Sequence, residues 1–193
     1  MEEVAPGIHH WAARHPSTGV DASAYWLSDL GVLIDPIAVP DAVEGVRTIV
    51  LSNRLHRRDS FAAHRRFGVP VRVPRPGMNA YDDSDPVEPY DFGDELADGA
   101  VVAYEVDAIC PDEAALHIPP ARALAVGDGV HHYDAELAFF SDALMDDPEA
   151  TKAGLWTAYR RLTEELDFEH LLTAHGDPIA NDGRERLRAF AER

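Results

Sequence analysis

Three apolar runs in this 193-residue chain end in loops that gather imidazoles, carboxylates and arginines. Arg47–Ser52 runs into Asn53-Arg54-Leu55-His56-Arg57-Arg58-Asp59-Ser60, Arg122–Val126 into Gly127-Asp128-Gly129, and His170–Ala174 into His175-Gly176-Asp177. Functional groups collect at such places because a sheet holds the strand end rigid while the loop is free to vary. Singly, each loop is ordinary: Gly-Asp-Gly is a common turn, and with ten histidines some fall near acids by chance. Their occurrence together, in this order, carries the signal. Other chemistries find no support. There is no Gly-x-Ser-x-Gly elbow for a nucleophilic serine, and neither a P-loop nor a dinucleotide fingerprint. Cys110 is the only cysteine, which excludes an intrachain disulfide and a cysteine-rich metal site.

The elements that must position these loops can be read from pattern. Gly7–Trp11, Ser23–Leu27 and Gly31–Ile37 are β-type runs, and Arg47–Ser52 is apolar enough for a buried strand. A helix is expected from about Asp59 to Phe67, with Asp59 or Ser60 as N-cap and Gly68 as its stop. Val69–Val73 follows as a strand, so the segment is a β–loop–α–β unit between parallel strands. Val101–Val106, Ala114–Ile118 and Arg122–Val126 are further strands. Asp147-Pro148-Glu149 opens a helix whose Leu155, Tyr159, Leu162 and Leu166 share one face. His170–Ala174 is the last strand and Gly183–Ala191 the last helix. Alternation over the whole length gives the α/β class (α+β in some schemes), in one domain spanning 1–193.

Charge is uneven along the chain. There are 17 Lys+Arg and 35 Asp+Glu, a formal net charge of −18, and Lys152 is the only lysine. Residues 46–76 hold eight arginines and one acid, a local +7, so −25 falls on the remainder. Residues 77–98 hold eight acids and no base; with Pro86, Pro89 and Gly93 they read as a long loop or poorly structured insertion. These acids neutralise the arginines within the fold, or the arginines frame a mouth for an anion. The bulk negative field works against nucleic acid and anionic membranes. No apolar run could span a bilayer, and Met-Glu-Glu-Val is unlike a signal peptide. The expectation is a cytoplasmic protein, and the carboxylate excess with almost no lysine suits a salt-rich, halophilic cytoplasm.

In this order the residues resemble the metallo-β-lactamase superfamily, whose members fold as an αββα four-layer sandwich of two mixed β-sheets flanked by helices. Ile34-Asp35-Pro36 after Tyr25-Trp26-Leu27 looks like the hairpin before that family's metal loop. Leu51–Ser60 sits in the place of its Thr-His-x-His-x-Asp-His motif, Gly127-Asp128 in the place of its bridging aspartate, and Ala174-His175-Gly176 in that of its last histidine. The departures are large. Asn53 and Leu55 stand where the first two metal histidines belong, and the closing Asp-His becomes Asp59-Ser60, displaced by one residue. Ala108-Ile109-Cys110-Pro111-Asp112 matches the segment of the middle ligand, with Ile109 in the ligand's place. A two-metal site is not expected.

What the resemblance leaves supports two readings. In the first, one divalent metal (zinc, iron or manganese) is held by His56, Asp128 and His175, with Asp59 as a fourth ligand or as the base that orients a water. Arg54, Arg57 and Arg58 then hold the negative group of a small anionic ester, thioester or lactone. In the second, the fold has lost its metal and binds an anionic ligand or a protein partner without chemistry. Asp59 is in that case only a helix cap, Asp128 a turn residue and His175 a donor to a backbone carbonyl. His131 and His132 are adjacent, so at most one of them could face the site.

Overall fold

The computed structural model describes residues 1–193. Its strands are β1 (Glu2–Ala5), β2 (Ile8–Arg14), β3 (Asp21–Leu27), β4 (Val32–Ile34), β5 (Thr48–Val50), β6 (Val71–Pro74), β7 (Val87–Tyr90), β8 (Glu95–Leu96), β9 (Val101–Glu105), β10 (Ala114–Ile118), β11 (Ala123–Val126), β12 (His131–Tyr133), β13 (Glu136–Ala138) and β14 (His170–Thr173). The helices are α1 (Ser60–Phe67), α2 (Pro148–Glu165) and α3 (Gly183–Ala191). A seven-stranded sheet runs β1 to β7 in sequence order, and a five-stranded sheet runs β14-β11-β10-β9-β8, with β12 and β13 as a separate ribbon. Both large sheets are mixed. β1 to β4 pair antiparallel and β4 to β7 parallel, while β14 is parallel to β11 in an otherwise antiparallel second sheet.

Side-chain alternation makes four layers of these sheets. Val32 and Ile34 of β4 enter the core between the sheets, while Leu33 between them faces outward to the α1 side. Ala114, Leu116 and Ile118 of β10, and Ala123 and Ala125 of β11, meet them from the other sheet. Ala115, Leu124 and Val126 point the opposite way, onto Leu155, Tyr159, Leu162 and Leu166 of the α2 segment and Leu187 and Phe190 of α3. Each sheet is therefore apolar on both faces, which is why its strands read as near-continuous hydrophobic runs. The layer order is α, β, β, α, as expected.

The helix ends follow local chemistry. Asp147 Oδ1 accepts from Ala150 N–H at 3.0 Å with Pro148 in the first turn. Gly68 ends α1 at φ +69°, a left-handed conformation that costs glycine little.

The acidic segment is not the unstructured insertion its composition suggests. Val87–Tyr90 is the edge strand of the first sheet, and Glu95–Leu96 pairs with β9. Tyr90 is buried in the core between the sheets and donates to Leu51 O at 2.7 Å, while Glu88, two residues earlier on the same face, stays exposed and meets its register partner Arg72 at 2.7 Å. Arg75 likewise meets Asp91 at 2.7 Å, so acids of this segment neutralise the neighbouring arginines.

Candidate metal centre

The three polar loops emerge at one end of the sandwich. The two sheets are tied there: Ser52 O accepts from Ala114 N–H at 2.8 Å, Ala174 O from Ser23 N–H at 2.8 Å, and Thr173 O from Tyr25 Oη at 2.7 Å. After β5 the chain leaves its ladder, because Ser52 N–H donates instead to Asp35 Oδ1 at 2.8 Å. This shortens the strand expected from Arg47 to Ser52. A 3-10 turn over Arg54–Arg57 follows. Its cap is Asn53, whose Oδ1 accepts from Leu55 N–H at 2.9 Å and His56 N–H at 3.2 Å. The turn sends Leu55 outward, 63% exposed, and His56 inward, 3% exposed.

His56, Asp128 and His175 meet with their ligand atoms all within 4.8 Å of one another. His56 Nε2 lies 3.0 Å and His175 Nε2 3.1 Å from the same oxygen, Asp128 Oδ1. Asn53 Nδ2 donates to the other oxygen, Oδ2, at 3.1 Å. The far sides of both rings are committed. His56 Nδ1–H donates to Asp35 Oδ2 at 2.9 Å beside Ser52 Oγ at 2.8 Å, and His175 Nδ1–H donates to Asp21 O at 2.9 Å. A carboxylate or a backbone carbonyl behind Nδ1 fixes the tautomer that leaves the Nε2 lone pair facing forward.

Two such lone pairs converging on one carboxylate oxygen need positive charge between them, as protons or as a cation. Adjacent ligands of a tetrahedral ion with bonds of about 2.0–2.1 Å lie roughly 3.3 Å apart, close to the two Nε2–Oδ1 separations of 3.0 and 3.1 Å. The donor set fits one divalent ion.

Without an ion, protons supply the charge. Burial and the nearby Arg58 charge push His56 down, but Asp128 and Asp35 outweigh them and raise it to about 9. Burial works against ionisation of Asp128, yet the His56 and His175 rings hold it well below the usual carboxylate range. Asp35 is lowered too, His56 outweighing the cost of burial. Beside this cluster Glu113 is fully buried. Burial and the Asp128 charge raise it to about 8, so it is a neutral acid at neutral pH.

Asp59 does not join the cluster: its exposed carboxylate turns back to accept from Ala38 N–H at 2.7 Å, nor does it cap α1 with its side chain. Arg54 is committed to the buried Asp112, through its backbone N–H at 2.6 Å and through its guanidinium. Arg58 is half-buried, held at φ +33° with Nη1 donating to Ser23 O at 2.7 Å and Asp35 O at 3.0 Å. Arg57 is exposed, its guanidinium 5.5 Å from the Phe61 ring centroid. His132 Nδ1 donates to Asp177 O at 2.7 Å and His131 Nε2 faces Phe139 O at 3.2 Å, so neither ring reaches the cluster. From the segment after β9, the side chain that reaches the site is Glu113 rather than Ile109. Pattern reading missed Asp35, Ser52 and Asn53 as supports and Glu113 altogether. A polar residue at the end of an apolar strand was the available signal for Asp35, and two consecutive acids at the entry to a buried strand for Glu113.

No protein-family model matches the sequence, and no curated protein matches it either. Solved structures do match in shape. The DIM-1 metallo-β-lactamase superposes with a TM-score of 0.73 over 99% of this chain and 95% of that one, at 14% identity. An archaeal metallo-β-lactamase superfamily protein from Sulfolobus tokodaii gives 0.68 over 95% and 85%, at 13% identity. Rubredoxin oxygen:oxidoreductase from Desulfovibrio gigas gives 0.67 over 99% of this chain but 61% of that one, at 15% identity. One architecture thus carries proteins of different named activities, so function has to be argued from the site.

Proposed function

On this metallo-β-lactamase fold, we propose that the chain is a hydrolase with a single metal, acting on a small anionic ester, thioester or lactone. The observation that carries the reading is the convergence of two Nε2 lone pairs on Asp128 Oδ1, with both Nδ1 atoms already committed. His56, Asp128 and His175 would hold the ion, zinc, iron or manganese by donor type. When bound, such an ion supplies Lewis acidity and acidifies a water. The chain's own residues do the rest. Asp35 and Ser52 fix the His56 ring, Asp21 O fixes His175, and Asn53 keeps one carboxylate oxygen turned away from the rings. Arg57, exposed and without a carboxylate partner, is the arginine best placed to meet a negative group, since Arg54 and Arg58 are committed within the fold. The composition further supports a role in a salt-rich cytoplasm.

A second reading, a metal-free binder of an anionic ligand or protein partner, is favoured by one observation: protons alone can neutralise the cluster, with His56 at about 9. Elemental analysis decides between them. Protein purified without chelator, or dialysed against zinc and desalted, is expected to carry one metal per chain. His175→Ala and His56→Ala should carry none and should lose hydrolysis of a generic thioester. Wild-type protein with no stoichiometric metal after zinc loading would sink the first reading.

A further inference from the structure

The Gly127-Asp128-Gly129 loop is wedged from three directions. Asn53 Nδ2 holds the Asp128 carboxylate and also lies 3.2 Å from where a Cβ on Gly127 would stand. Glu113, 0% exposed at the entry to β10, accepts from Gly129 N–H through Oε1 at 2.8 Å. The same oxygen lies 3.3 Å from the Cβ position of Gly127 and 3.0 Å from that of Gly129, so it sits directly under the loop. Tyr159 reaches in from α2, its Oη 2.1 Å from the Gly129 Cβ position. A side chain at Gly129 would collide with Tyr159 and Leu155, and one at Gly127 would crowd Asn53, Glu113 and Ser52. Only the Asp128 side chain is free to leave the loop, and it leaves toward the imidazoles.

A buried carboxyl is a costly way to satisfy one N–H, and here its second oxygen, Oε2, has no partner; nor has Tyr159 Oη. We propose that Glu113 is a positioning residue of the centre, fixing the Asp128 main chain so that its carboxylate is presented for metal binding. The proposal rests on reading His56, Asp128 and His175 as the ligand set. Glu113 itself touches neither ion nor substrate. It acts through the Gly129 N–H, as an outer hydrogen bond acts on an inner ligand.

The test compares Glu113→Gln, which keeps an oxygen acceptor of the same length, with Glu113→Leu, which fills the volume without one. Two measurements are made: hydrogen exchange of the Gly129 amide in metal-free protein, and zinc affinity by competition with a chromophoric chelator. E113Q is expected to keep Gly129 protected and zinc affinity within about threefold of wild type. E113L should speed Gly129 exchange about tenfold or more and weaken zinc binding about 10–100-fold. Should E113L not fold, Glu113→Asp, which withdraws the acceptor by one methylene, is expected to show the same two losses. Unchanged exchange or unchanged affinity in the variants without a reaching acceptor overturns the proposal. A wild type that binds no zinc overturns the ligand-set reading instead, and the exchange data still decide whether Glu113 holds the loop.

Discussion

Asp128 Oδ1 faces two rings that are anchored differently, and the difference sets how the metal-free protein responds to pH. His56 is buried between two carboxylates, whereas His175 is half-buried and backed by a neutral carbonyl. His56, raised from 6.5 to about 9, contributes stability that is complete below pH 6.5 and lost as pH rises through 9. Glu113, raised from 4.5 to about 8, has the same sign: the native state keeps a proton that the unfolded chain gives up, so stability falls between about pH 4.5 and 8. Asp35 and Asp128 act oppositely. Lowered from 3.8, they lend stability above that value that disappears as pH falls through their native values. Metal-free protein in chelator should therefore be most stable on the acid side of neutrality. Glu113→Gln should remove the decline that begins near pH 4.5 and gain on the order of a few kcal/mol over wild type at pH 8. Urea unfolding at pH 5, 7 and 9 measures it. A Gln variant whose stability tracks wild type at all three values would mean that Glu113 ionises freely.

At the scale of elements, the strand ends matter more than the helices. Gly176 follows His175 at φ +83°, and a Cβ there would stand 1.9 Å from His132 O, a backbone atom that cannot swing aside. Gly176→Ala is therefore expected to cost about 1–3 kcal/mol and, by shifting His175, to weaken zinc binding. Asp147→Ala, which removes the cap of α2, should cost about 1 kcal/mol and leave zinc binding unchanged. Equal effects of the two variants on zinc affinity would argue that the site follows overall stability and not local strand-end geometry. The same contrast explains what could be read in the sequence. α2 announces itself through Asp147-Pro148 and its apolar face, and the parallel β5–α1–β6 unit through a buried run, a helix and a second run. Capping and periodicity are local. Asp35, by contrast, matters because its left-handed φ of +47° turns it toward a serine and a histidine 17 and 21 residues on. Asp59 looks identical as a cap or as a catalytic base until Ala38 comes into contact with it. β7 was hidden because Glu88 and Pro89 lie within it and acids crowd both sides of it in the sequence, and Glu113 because the register of the preceding loop decides which side chain turns inward.

For the whole molecule the central quantity is charge. A net −18 on 193 residues is self-repulsion spread over the surface. The arginine-rich segment relieves it only locally, through exposed pairs such as Arg72–Glu88 and Arg75–Asp91. Added salt acts on both in opposite directions. It weakens the attractive pairs, which contribute little when exposed, and it screens the longer-range repulsion among the many unpaired carboxylates. The Debye length shrinks from about 10 Å at 0.1 M to about 3 Å at 1 M, shorter than the spacing of most surface charges, so the repulsive sum loses more. The thermal midpoint is accordingly expected to rise by several degrees between 0.1 and 1 M KCl, as a gain of about 1–2 kcal/mol would produce in a domain of this size. Sucrose at matched water activity separates screening from the general stabilisation given by excluded solutes: it should raise the midpoint less than KCl does. Converting exposed carboxylates outside the ligand set, for instance Asp82 and Asp83 together to asparagine, should flatten the KCl response. A midpoint that is flat or falls with KCl would mean that the arginine–carboxylate pairs, and not the excess of acids, dominate the surface electrostatics.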